Sequence, residues 1–416
     1  MVQMTRCWPS AASVGLLTML LGAPCEAEPV RLTIDEAVAR ASQAHPDLAA
    51  ARRAIDVAAA SLQRSKAWLP ANPYISGGGG TTSQQGAGNN YGFYISQEIE
   101  VAGQRSKRID VASQDVAKAS SELIGAQQTL AAAVKTAFVQ ALVNTDRVSL
   151  ARQGLDITAE LSNQLRAMKN PSDAQRIDRN NAEIQESRAR RDVAAMQQAQ
   201  SNALTTIRRL TGLPIDQDLV LIGAPTAQIR PLPNEADLME RALHHRPDLA
   251  AQHRALDKAD AQITLVEREA IPNITVSGNL SRFEGATLAG GDIGLHLPVF
   301  QRKTSDLNEA VAERDREHST LDSLERTIQQ EAIEARRACE VAAVDLQALK
   351  DVVVPKTEDN LQLERRLFER GDAAHSEVLG AQLELLTARR EYLDAVQAYN
   401  EALIELERIV GGSLEP

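Results

Sequence analysis

Large rings are scarce in this chain: five Phe, five Tyr and two Trp make up 3% of 416 residues. So few bulky side chains argue against one large compact core and for long elements packed through small residues. Cysteine is nearly absent too. Cys7 and Cys25 fall in a segment that reads as a secretory leader, with Arg6, an apolar run from Ala11 to Leu21 and a small-x-small site ending at Ala27. Loss of residues 1–27 leaves Cys339 alone and excludes an internal disulfide. Pro24 fits poorly in a lipid-attachment box, so cleavage after Ala27 is expected. Beyond the leader no run of 18 apolar residues occurs, which excludes a transmembrane helix and leaves strands as the only means of spanning a bilayer. Basic excess is lacking as well: 45 Lys and Arg against 56 Asp and Glu give a net charge of −11, so no nucleic-acid partner is expected.

Chemistry-bearing constellations are missing in the same way. Gly77 to Gly80 lack the Lys-Ser/Thr of a phosphate loop and read as a surface turn. His244, His245 and His253 do not share a helical face, and His375 reads as a solvated histidine. No catalytic residue, cofactor or metal site is expected, and the chain is not read as an enzyme.

What is present is a repeat. His45-Pro-Asp-Leu-Ala-Ala50 answers to Arg246-Pro-Asp-Leu-Ala-Ala251, and Ile75-Ser-Gly77 to Val276-Ser-Gly278, at a constant offset of 201 residues. The boundaries predicted from it are a leader over 1–27, a first unit over 28–211, a Pro- and Gly-rich linker over 212–234, a second unit over 235–412 and a tail over 413–416. Each unit reads as a helical segment (Ile34 to Trp68; Leu238 to Ile271), two strands, a long helix (Gln104 to Met168; Lys303 to Arg370) and a return helix. The helix starts at Thr33-Ile-Asp-Glu36 and Asn234-Glu-Ala-Asp237 carry capping residues.

The strands stand out because helical periodicity stops there. Ile293, Leu295, Leu297 and Val299 alternate with Asp292, Gly294, His296 and Pro298, and Tyr91, Phe93 and Ile95 alternate with Gly92, Tyr94 and Ser96. Tyr91, Phe93, Ile95, Ile293, Leu295 and Leu297 are therefore the candidate lipid-facing side chains, with polar neighbours on the opposite face. Four strands cannot close a barrel, and open edges in lipid leave backbone groups unpaired. Two copies give eight strands, a barrel filled by its own side chains, whereas three copies give twelve and a lumen. The fold class expected is mainly α, a long α-helical barrel carrying a twelve-stranded β-barrel built by a homotrimer.

Glu100-Val-Ala-Gly-Gln-Arg105 and Leu297-Pro-Val-Phe-Gln-Arg302, at the strand-to-helix junctions, resemble the TolC family of outer-membrane efflux factors, and the resemblance extends over essentially the whole chain after the leader. Together with Glu377-Val-Leu-Gly-Ala-Gln382 they are similar to its heavy-metal, cobalt-zinc-cadmium branch. The resemblance implies a passive trimeric exit duct in the outer membrane, extending into the periplasm. It also implies docking of the tip to a periplasmic adaptor and an inner-membrane proton-driven pump, with residues 212–234 in a belt around the tube.

Gly103, Arg105, Pro298, Phe300 and Arg302 are the junction candidates. Asn170, Pro171, Arg176, Gly371 and Glu377 are the candidates for a periplasmic tip or gate. In the family an acidic pair often marks this tip; here Glu377 matches the first acid and Gly380 replaces the second. A periplasmic adaptor or a soluble helical-hairpin scaffold is the alternative reading, disfavoured by the doubled unit and the two-faced strands.

Overall fold

The structure, a computed structural model, describes residues 29–81, 89–169, 172–283, 286–300 and 302–414. The leader and the tip candidates Asn170 and Pro171 lie outside these. Two short strands, β1 (Val30–Leu32) and β4 (Leu219–Leu221), pair in parallel, and neither was foreseen, because three residues carry too little alternation to register.

Each opening helical segment is in fact two helices. In the first unit α1 (Ile34–Ala44) begins at a capping box in which the Glu36 carboxylate accepts from Thr33 N at 2.9 Å, and α2 (Pro46–Ser65) follows. The second unit has α5 (Glu235–His245) and α6 (Pro247–Glu269). The break falls at His45 and Arg246, both extended, because the ring of a following proline disfavours the helical region for the residue before it.

The longest element is α3 (Gln104–Arg166), 63 residues, or about 95 Å at 1.5 Å per residue. It packs on α2 along its first half and on α4 (Asp173–Thr211) along its second. The matching rod of the second unit was expected to run unbroken to Arg370. Instead α7 (Thr304–Ala348) passes through a single π turn, Leu349–Val353, into α8 (Val354–Arg370). Pro355 supplies the cause: it has no N–H to donate and its ring collides with the carbonyl four residues back, a conflict that a widened turn relieves. The return helix is α9 (His375–Val410).

The remaining strands are β2 (Tyr74–Thr81), β3 (Asn89–Ile99), β5 (Ile274–Phe283) and β6 (Ala286–Leu295), an antiparallel sheet in the order β2-β3-β5-β6. β6 ends at Leu295, four residues earlier than the alternation suggests. Leu297 is therefore exposed beyond the strand, where the chain turns toward α7 through a Val299 N to Leu297 O hydrogen bond of 2.9 Å.

Two matching cores lie around the short opening helices. Leu48, Val134, Phe138 and Ile207 are buried in the first, and Leu238, Ile328, Cys339 and Leu406 in the second. Burial also pushes the Cys339 thiol up to about 11. Residues of the linker are strapped across the C-terminal third of α9. Asn400 bonds both the N–H and the carbonyl of Thr226, Tyr399 Oη accepts from Arg230 N at 3.0 Å, and Lys350 in the π turn donates to Ala227 O at 3.1 Å.

Candidate functional site

Strand register decides which side chains share a face. Phe93 pairs with Gly77 and Leu280, Ile95 with Ile75 and Gly278, and Val276 with Ile293. Because side chains alternate, Ile75, Tyr91, Phe93, Ile95, Val276, Leu280, Ile293 and Leu295 all project from one face of the sheet, and all are exposed in the single chain. Ser76, Tyr94, Ser96, Ser277, Asn279 and Asp292 project from the other. Of the six residues selected by alternation, five lie on the apolar face and Leu297 lies beyond it.

Below the sheet the two junctions are built differently. In the first, Gly103 takes a left-handed conformation, φ 77°, just before α3, a backbone angle that costs an L side chain energy. Gln104 is buried and ties three segments together: its Nε2 donates to Asn273 Oδ1 at 3.0 Å and to Ile271 O at 3.3 Å, while its Oε1 accepts from Ala102 N at 2.9 Å. Arg105 reaches sideways, donating from Nη2 to Lys66 O at 2.8 Å and from Nε to Ala67 O at 3.2 Å, so it holds the carbonyls left open at the end of α2. Arg108 and Glu100 form an ion pair.

In the second junction Lys303, next to Arg302, marks the turn, with φ 59°, the one positive φ outside glycine among the described residues. Its Nζ holds Asp306 at 2.7 Å and Glu269 at 3.8 Å. Arg302 is exposed, Pro298 lies in the connecting segment, and the Phe300 ring is 98% exposed. A cleft of about 1000 Å³ lies between the two junctions, lined by Glu98, Glu100, Gln104, Asn273 and Pro298 among others.

At the opposite end α8 stops at Gly371, whose φ of 80° ends the helix. Arg176 is held by Asp173 at 3.4 Å, and the Glu377 carboxylate accepts from Ala374 N at 2.8 Å, closing the first turn of α9. Each is satisfied within its own helix end, and no ion pair joins them among the described residues.

Contacts between the two hairpins come from other residues, which sequence reading missed. Down the α3–α9 seam run Lys135–Glu407 (2.7 Å), Gln140–Glu401 (2.8 Å) and Arg147–Asp394 (2.5 Å). Arg390–Asp192 (2.5 Å) joins α9 to α4. Nearest the α8–α9 turn, His375 Nε2 lies 3.3 Å from Glu160 and its ring meets that of Phe368 at a tilt of 53°, centroids 5.1 Å apart. These pairs were hidden because opposite charges lie more than 190 residues apart in sequence; a common antiparallel register on α3 and α9 is the signal that links them.

Within the first hairpin Glu186 is buried between α3 and α4. The Ser162 hydroxyl beside it, then Arg190 at 2.6 Å and Arg166 at 3.1 Å, hold its carboxyl below the ordinary carboxylate range. Among the described residues no group of three or more His, Cys, Asp or Glu is placed to hold a metal, and no helix is long and apolar enough to cross a membrane.

A two-faced antiparallel sheet set on paired long helical rods defines the fold class. The chain belongs to the outer membrane efflux protein family, whose profile matches residues 37–213 and 238–412. It is 26% identical over 316 residues to the cobalt-zinc-cadmium resistance protein CzcC of Cupriavidus metallidurans, covering 75% of each chain. It is 24% identical over 341 residues to the nickel-cobalt-cadmium resistance protein NccC of Alcaligenes xylosoxydans xylosoxydans, covering 80% of this chain and 75% of that one. Its fold matches the open state of the Neisseria gonorrhoeae MtrE outer membrane channel with a TM-score of 0.77 at 20% identity, over 92% of this chain and 89% of the other.

Proposed function

We propose that three copies of this chain form a passive exit duct in the outer membrane for heavy-metal cations. An inner-membrane proton-driven pump drives export, and a periplasmic adaptor links the pump to the tip of the duct. The observation that carries this reading is that every layer of the chain has two open edges. In the sheet they are β2 and β6. In the helices next to the sheet they are α2 and α7, since the packing order is α2, α3, α6, α7. Further down they are α4 and α8, on either side of α3 and α9. Exposed apolar side chains mark both sides: Val57, Ile177 and Ile184 on one, Val341, Val344 and Val352 on the other. A head-to-tail ring covers both edges, and only a closed sheet satisfies its backbone in lipid. Twelve strands from three copies leave a lumen lined by the polar face, while Tyr91, Phe93, Ile95, Ile293 and Leu295 face lipid.

A duct of this kind performs no chemistry and needs no cofactor, in keeping with a family of efflux channels. The residue ranges 28–211, 212–234 and 235–412 serve as first unit, belt and second unit. Arg176, Gly371 and Glu377, with Asn170 and Pro171, form the periplasmic tip that opens to the pump. Metal cations are the favoured cargo because two of the relatives carry metal-resistance names. Deleting the gene in its host tests the cargo. Increased sensitivity to cadmium, zinc or cobalt, restored by the intact chain, is the expected result; unchanged metal sensitivity with a gain in drug sensitivity would reassign the cargo.

A further inference from the structure

The two outer ends of the junction region carry side chains that a water-facing loop does not favour. Trp68, between α2 and β2, is 81% exposed, and Phe300, between β6 and α7, is 98% exposed, with Leu297 at 72% beside it. These are the largest apolar side chains at that level, and each sits at the foot of an unpaired strand edge. When β6 of one copy pairs with β2 of the next, the antiparallel direction sets the end of β6 at Leu295 near the start of β2 at Tyr74. The segments following β6 and preceding β2 then meet.

Charge points the same way. Residues 57–66, the end of α2 and its cap, carry Arg64 and Lys66 and no acid. At the start of α7, Asp306 is already paired with Lys303 and Glu313 with Arg316, while Glu309 makes no ion pair among the described residues. Arg64, Lys66, Asp306 and Glu309 are all exposed. Both helix ends lie at the sheet side, because α2 leads into β2 and α7 leads out of β6. Lys66 on one outer edge is thus at the level of Glu309 on the opposite edge, where a neighbouring copy would bring the two together.

We propose that a second copy of this chain covers this surface. Trp68 of one copy packs against Phe300 and Leu297 of the next, flanked by Lys66 against Glu309, and together they seal the base of the barrel between copies. The inference rests on the ring reading above and adds the residues that close it. An aromatic pair beneath the last strand hydrogen bonds excludes water where the sheet gives way to helices.

The test uses the full chain carrying Trp68→Cys and Phe300→Cys together, treated in membranes with a short bismaleimide and compared with the wild type and each single variant. Covalent dimers and trimers in the double variant alone are expected. Trimers on a native gel without cross-linked species would overturn the seam and leave the ring standing, whereas a monomer on the native gel would remove both. Charge reversal gives an independent arm. Lys66→Glu or Glu309→Lys alone should lower the trimer fraction by about two- to five-fold per seam, and the two together should restore it. Additive losses without restoration would contradict the pairing.

Discussion

Among individual residues, Glu186 shows how a charge is carried inside an alanine-rich rod. It is buried between α3 and α4, and Arg166 and Arg190 both reach it from positions more than a third exposed. Its carboxyl is depressed below the usual value of 4.5, so its contribution to stability is fully present above that pH and disappears as pH falls through the lowered folded value. Glu186→Gln should therefore melt at a lower temperature than the wild type at pH 7, and the difference should shrink as pH falls below 4.5. Thermal unfolding of the purified protein across pH checks this; a difference independent of pH would mean that packing, not charge, is what the carboxylate supplies. Ser162 and Arg166 lie on α3, a helix away from Glu186 and Arg190 on α4, so the cluster was not legible before folding. Three charged residues in two helices look like ordinary solvated faces until the hairpin brings them together.

At the level of elements, much was legible because local rules and the repeat agreed. The 201-residue offset located both sets of helix starts, and strand alternation located the two-faced sheet. The misses have physical reasons. The apolar period carries on past Pro355, which hides the π turn, and the left-handed Lys303 sits where glycine is the usual signal. At the tip, Glu377 was selected as an acid of the gate, and the structure gives it a local task as well, holding the free N–H of Ala374 at the start of α9. Glu377→Ala removes that hold, at a cost of about 0.5–1.5 kcal/mol to the helix start. If the first turn of α9 belongs to the gate, single-channel recordings in planar bilayers should show a higher open probability for the variant. Conductance and open probability equal to the wild type would assign Glu377 to helix capping alone.

For the whole molecule, the same two edges run through sheet, upper helices and lower helices, and only association covers them. In the proposed ring, the two-faced sheet, the paired rods and the linker strapped across α9 by Tyr399 and Asn400 make one chain a third of a tube. The proposed copy number of three rests on barrel size: eight strands fill their own interior, and twelve leave a passage. The mass of the protein extracted gently from outer membranes, measured by native mass spectrometry in detergent, tests this most directly. The account predicts a single species with three times the mass of the processed chain. A species of one or two chains, or recovery of the protein only from the soluble fraction, would contradict it.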